Sequence, residues 1–276
     1  MFTPKKQFGQ NFLKDKGIVQ KIIKAAEIVP GETVLEIGPG TGILTEALVA
    51  AGARVIAVEA DRDLISPLRE KFGDTIELVE GDVISLASSR TSPRPSPFEG
   101  EGVPYKLVAN IPYNITSKIL ETFLTSKTPP TRMVLMVQLE VADRIAAAPP
   151  DMSLLSVVCQ AYADVKKVFN VSRTAFKPSP NVDSAVIRLD LHVSPPHREE
   201  GTGVVVARNG VDPEKIIRLA KVGFSSRRKQ LHRNLSASTV ASSAAVKDAL
   251  TQIGLPPEAR AETLSVHNWI QLLDLL

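Results

Sequence analysis

Cysteine is nearly absent. Cys159 is the only one, so no intramolecular disulfide can form, and its apolar, helical surroundings mark it as a core residue. Histidine is scarce too: His192, His197, His232 and His267 lack ligand spacing, which argues against a metal site. No apolar run reaches the length of a membrane span, and the opening Met1-Phe2-Thr3-Pro4-Lys5-Lys6 lacks the apolar stretch of a signal peptide, so a cytoplasmic protein is expected. A large excess of either charge sign is also missing, with a net of +3 over 276 residues. The basic residues are nonetheless uneven. Residues 1–24 carry six lysines against one acid, and 215–235 carry seven lysines and arginines and no acid. Two basic blocks far apart in a nearly neutral chain suggest a polyanionic partner held from two sides.

The most informative stretch is Val34-Leu35-Glu36-Ile37-Gly38-Pro39-Gly40-Thr41-Gly42. An apolar β-type run, Thr33 to Ile37, meets three glycines at alternate positions, and Ile43 to Ala51 then has helical spacing. Strand, tight turn and helix follow one another, and a helix start offers free N–H groups to a ligand. A dinucleotide and S-adenosylmethionine are the two candidates. The dinucleotide fingerprint is G-x-G-x-x-G, whereas this turn reads G-x-G-x-G with an acid before it. Glu36 suits the cationic amino group of the methyl donor, which a pyrophosphate lacks, so the fit is better to the donor.

Along the chain, the Gln10 to Leu13 region has no period and reads as a structured loop. Asp15 caps a helix carrying Ile18, Val19, Ile22, Ile23 and Ala26 on one face, ended by Pro30-Gly31. Strands are expected at 54–59, 76–80, 105–109 and 133–138, with helical stretches at 141–147 and 154–163. Two further strands, at 165–171 and 182–191, have no helix between them, so the last pair is expected to be antiparallel. This alternation predicts an α/β, Rossmann-like, mostly parallel sheet with helices on both faces. A catalytic domain over 1–193, a linker over 194–210 and a small helical domain over 211–276 follow. Ser88 to Val103, with Pro93, Pro95 and Pro97 and then Glu99-Gly100-Glu101-Gly102, is too poor in apolar residues to pack and reads as a mobile insertion. Trp269 reads as the packing anchor of the last domain.

Polar residues fall where strands end. Glu59 is placed to accept hydrogen bonds from ribose hydroxyls, and Asp82 to accept the exocyclic amine of the donor's adenine. Asn110-Ile111-Pro112-Tyr113 is the sharpest element. An adenine exocyclic amine is a poor nucleophile because its lone pair is delocalised into the ring. If the Asn110 side-chain oxygen and the Ile111 carbonyl both accept its hydrogens, the nitrogen is drawn toward tetrahedral geometry and the lone pair is freed. Pro112 fixes the backbone, and Tyr113 offers a ring to stack on the base.

These segments, together with Gln10-Asn11-Phe12-Leu13, Phe176-Lys177-Pro178-Ser179-Pro180-Asn181-Val182-Asp183-Ser184 and Phe224-Ser225-Ser226-Arg227-Arg228-Lys229-Gln230-Leu231, resemble the ribosomal RNA adenine dimethyltransferases of the KsgA type. The resemblance runs from about residue 5 onward, with five motifs in the family's order. It implies S-adenosylmethionine as donor, and as substrate two adjacent adenosines in a hairpin loop near the 3′ end of small-subunit (16S) rRNA in an assembling subunit. It implies donor contacts from Gln10, Asn11, Leu13, Gly38, Glu59, Asp82 and Asn110, joined by Glu36 and Gly40 of the glycine turn. It further implies a base held between Tyr113 and Phe176. Arg227, Arg228 and Lys229 suit RNA phosphates. Nothing demands more than a monomer, a membrane or a metal. The chain departs from the family at the insertion, at Leu139, where relatives often carry lysine, and at Met152-Ser153, where a Tyr-Gly pair is usual. A large-subunit rRNA methyltransferase of the macrolide-resistance type, or an assembly factor with lost or incidental methylation, are the competing readings.

Overall fold

A computed structural model describes residues 10–88, 104–192, 211–226 and 228–276. The 89–103 part of the expected insertion, the 194–210 linker, Lys5, Lys6 and Arg227 lie outside the described residues. The elements in chain order are β1 (Phe12–Leu13), α1 (Lys16–Ala26), β2 (Thr33–Ile37), α2 (Ile43–Ala50), β3 (Arg54–Glu59), α3 (Arg62–Phe72), β4 (Glu77–Glu80), α4 (Val83–Ser88), β5 (Tyr105–Asn110), α5 (Thr116–Leu124), β6 (Arg132–Gln138), α6 (Leu139–Ile145), α7 (Leu154–Tyr162), β7 (Ala163–Val171), β8 (Phe176–Lys177) and β9 (Ser184–Leu191), followed by α8 (Pro213–Gly223), α9 (Leu231–Ala237), α10 (Ser243–Gln252) and α11 (Val266–Leu275).

Seven strands form one sheet in the order β4-β3-β2-β5-β6-β9-β7. Strands β2 to β6 are parallel, and β9 runs antiparallel to β6, so the expected mostly parallel sheet with a reversed last strand is present. Burial explains the composition of the strands. The central β5 and β6 are covered on both faces and are apolar nearly throughout, whereas the edge strand β4 carries only Leu78 and Val79 between the exposed Glu77 and Glu80. The chain leaves β2 toward β3 and β4, then returns to place β5 on the other side of β2. That reversal opens a crevice at the carboxyl ends of β2 and β5.

The first correction concerns the amino-terminal segment. Phe12 and Leu13, read as loop, form β1 and pair antiparallel with β8, Phe12 opposite Lys177 and Leu13 opposite Phe176. A two-residue strand leaves no periodic trace. A second concerns α1, which Asp15 does cap, through bonds from the Gly17 and Ile18 N–H groups. The helix ends at Ala26, before Pro30-Gly31, because Glu27 turns into the left-handed region at φ 50°. There its carboxylate meets Arg132 at 2.7 Å and Arg188 at 2.5 Å, and these guanidinium groups hold it well below the usual carboxylate range.

The described residues fall into two units, and the boundary differs from the one expected. The first unit holds the sheet residues up to Ala142 and from Lys166 through β9. The second joins Asp143–Val165 to the carboxyl-terminal helices. Residues 143–165 thus leave the expected 1–193 domain, because α7 is apolar on several faces and packs on α8 and α11. Within this second unit Trp269 and Cys159 are fully buried, as expected of core residues. Gly223 passes so close to Trp269 that a methyl group there would fall on the indole ring. After α8 the next helix, α9, begins at Leu231. Among the described residues no helix is long and apolar enough to cross a membrane.

Candidate functional site

A cavity of about 410 Å³ lies across the carboxyl ends of β2, β3, β4 and β5, within the range of small-molecule sites. All nine residues expected to hold the donor line it: Gln10, Asn11, Leu13, Glu36, Gly38, Gly40, Glu59, Asp82 and Asn110. Ile111, Pro112 and Tyr113 line it as well. Phe176 does not. Its bridge to Leu13 turns it into the core, where it is 2% exposed, so its ring is not presented to a base as the resemblance implied.

The glycine turn does more than admit a ligand. Gly38, Gly40 and Gly42 all have positive φ, at 65°, 60° and 79°. A Cβ on Gly38 would meet nothing within 4 Å, so this glycine faces open space. On Gly40 it would lie 2.9 Å from Phe12, and on Gly42 2.6 Å from Phe72. The last two glycines therefore also let one aromatic ring from the amino-terminal segment and one from α3 close on the turn.

Beneath the turn, Glu36 is 1% exposed. Burial pushes its carboxyl up to about 8, Thr45 opposes this by donating its hydroxyl at 2.7 Å, and the charge of Glu59 adds to the rise. A buried carboxyl that resists ionisation gains most from a cation brought to it, which fits the amino group of the expected donor. Glu59, also buried and with a raised pKa, accepts the Gly40 N–H at 3.2 Å on one oxygen and the Asp61 N–H at 2.9 Å on the other. These bonds fix the carboxylate at the end of β3. Asp82 is exposed, and one of its oxygens accepts the Ile84 N–H at 2.8 Å, capping α4.

The amino-terminal segment is tied down at both ends of the cavity. Gln10 donates its side-chain amide to Asp61 at 2.7 Å, and Asn110 donates Nδ2 to the Asn11 carbonyl at 3.2 Å. The second bond sets the orientation of the Asn110 amide, with Nδ2 engaged by protein and Oδ1 as the acceptor. Next along the chain, the Ile111 N–H is engaged by the Met136 carbonyl at 3.2 Å. Tyr113, half-buried in a single 3₁₀ turn, has its phenol 2.6 Å from the Ser184 hydroxyl.

Three supporting residues escaped the sequence reading: Thr45 under Glu36, Asp61 under Gln10, and Ser184 under Tyr113. Thr45 is the third residue of α2 and Asp61 stands two residues after Glu59, yet nothing in that spacing shows what they bind. Arg228 and Lys229 are exposed in the second unit, in a turn where Asn234 donates to the Gly223 carbonyl at 2.5 Å and the Ser226 carbonyl at 3.1 Å. Among the described residues no group of three or more His, Cys, Asp or Glu is arranged to hold a metal.

The reversed strand in a parallel sheet, the glycine turn and the cavity at the strand ends define a Rossmann-like methyltransferase. More narrowly, the chain belongs to the ribosomal RNA adenine dimethylase family, which it matches over residues 1–276. It is 40% identical over 270 residues to the ribosomal RNA small subunit methyltransferase A of Dehalococcoides mccartyi, covering 97% of this chain and 87% of that one. With the protein of the same name from Synechococcus sp. it shares 42% identity over 288 residues, covering 99% and 93% of the two chains. Among solved structures it is similar to the 23S rRNA methyltransferase ErmE, with a TM-score of 0.75, 28% identity and coverage of 96% of this chain and 99% of that one. A dimethyladenosine transferase from Plasmodium falciparum gives a TM-score of 0.71 at 28% identity, covering 95% of each chain.

Proposed function

We propose that this protein transfers methyl groups from S-adenosylmethionine to N6 of two adjacent adenosines in the 3′-terminal hairpin loop of small-subunit rRNA. It acts as a cytoplasmic monomer on an assembling subunit. The observation that carries the reading is the amide of Asn110, oriented by the Asn11 carbonyl at 3.2 Å beside a cavity that ends in a tyrosine. The higher identity to relatives named for the small subunit, 42% and 40% against 28% for the 23S enzyme ErmE, favours the small-subunit substrate.

The residues divide the work. Glu36 takes the donor's amino group, Glu59 its ribose hydroxyls and Asp82 its adenine amine, while Gly38 leaves room for close approach of the chain. When bound, the donor supplies an electrophilic methyl group on sulfur. Asn110 Oδ1 and the Ile111 carbonyl accept the two hydrogens of the target amine, which localises the nitrogen lone pair. Tyr113 replaces part of the stacking that the adenine loses on leaving its hairpin. The proton is shed after transfer without a strong base, since an adenine carrying a cationic exocyclic nitrogen is acidic. Positioning and charge complementarity therefore supply most of the rate. Arg228 and Lys229, with Arg227, supply cations for RNA phosphates. Phe176 contributes by backing Leu13 from the core.

The test is mass spectrometry of nucleosides from small ribosomal subunits lacking this modification, after incubation with the protein and S-adenosylmethionine. Appearance of N6,N6-dimethyladenosine in the 3′-terminal hairpin is expected. Unmodified hairpins in the presence of intact donor binding would refute the assigned substrate.

A further inference from the structure

We propose that Ser184 is a positioning residue for the target base, its hydroxyl holding the Tyr113 phenol so that the ring stands ready as a stacking face beside Asn110. The proposal rests on the functional reading above and deepens it. The two oxygens lie 2.6 Å apart, and among the described residues neither hydroxyl has another hydrogen-bond partner.

The two ends of this bond are unequal. Ser184 is fully buried, begins β9 and stands opposite Gln138 of β6. Asp183, just before it, is fixed twice: its carboxylate accepts the Arg173 N–H at 2.9 Å, and its carbonyl accepts the Leu139 N–H at 3.0 Å. The serine hydroxyl is thus an immobile point of the sheet. Tyr113, by contrast, belongs to a three-residue 3₁₀ turn after Pro112 and is only half-buried on the cavity wall. So short a turn provides few neighbours to hold a long side chain in one rotamer. Without the serine, the ring would have to be ordered each time a base arrived, and that ordering would be subtracted from binding in the reacting geometry. Burial raises the phenol pKa, so the proton that makes the bond stays in place at neutral pH.

The experiment compares wild type, Ser184→Ala, Ser184→Thr, Tyr113→Phe and the double variant Tyr113→Phe/Ser184→Ala. Readouts are single-turnover methylation of the hairpin, donor affinity, and fluorescence of a hairpin with 2-aminopurine at the target position. We expect Ser184→Ala to slow single-turnover transfer about tenfold, with donor affinity and melting temperature close to wild type. The bound 2-aminopurine should brighten as its stacking on the ring is lost. Ser184→Thr, which keeps a hydroxyl, should recover most of the rate, and the double variant should be no slower than either single one. Additive effects, a threonine no better than alanine, or parallel loss of donor affinity and rate would overturn the proposal. An active wild type matched by Ser184→Ala would overturn it alone, whereas a wild type inactive on the hairpin would overturn the functional reading as well.

Discussion

Replacing Glu36 by glutamine removes a titratable group while nearly preserving its shape, and Thr45 can donate to the amide oxygen as it does to the carboxyl. In the folded protein burial keeps the Glu36 proton up to about pH 8, against an ordinary value of 4.5. Between those values the folded chain binds a proton that the unfolded chain has released. Stability conferred by the protonated form is therefore complete at acid pH and is lost as pH rises from 4.5 toward 8. At about 1.4 kcal/mol per pH unit, wild type should lose about 3 kcal/mol from this group between about pH 5 and about pH 7.5. Glu36→Gln should lose none of it. Urea unfolding of the donor-free proteins at both pH values reads the difference directly, and the variant should gain on wild type by about that amount as pH rises. A cation delivered to Glu36 reverses the balance, so donor affinity in wild type should strengthen toward pH 8, by up to about tenfold per unit, and Glu36→Gln should bind weakly with a flat profile. Parallel unfolding profiles for the two proteins would show that Glu36 is ionised at neutral pH and would refute the reasoning from burial.

Asn110→Ala should leave hairpin binding within about twofold and lower single-turnover methyl transfer by about 10²-fold or more; parallel loss of binding and transfer would make Asn110 structural. Gly223→Ala sets a methyl group against the Trp269 ring and 2.8 Å from Leu231. It should destabilise the second unit by about 1–3 kcal/mol, read from the fluorescence of the single tryptophan during urea unfolding. Replacing Arg228 and Lys229 together by alanine should weaken RNA binding and flatten the plot of log affinity against log salt by about 1.5. Donor affinity, measured by calorimetry, should not change.

Much of this protein is written in local code. Strand and helix periods, the glycine turn after β2, the acids closing β3 and β4 and the Asn-Ile-Pro-Tyr run after β5 each depend on residues close together in the chain. Sheet topology then carries those strand ends to one crevice, so every residue expected to hold the donor lines the cavity. What supports them was not legible. Gln10 meets Asp61 across 51 positions, Tyr113 meets Ser184 across 71, and Asn110 meets Asn11 across 99. Phe176 has the composition of an exposed loop around it, but pairing with Leu13 buries it. Likewise, the Ala148-Pro149-Pro150 break after α6 does not say which unit the next helix joins, and only the packing of α7 assigns residues 143–165 to the second unit. Short-range propensity and period are properties of a segment alone. A hydrogen bond between distant side chains, or the face a two-residue strand turns inward, exists only after the whole sheet has closed, and the tertiary structure alone decides it.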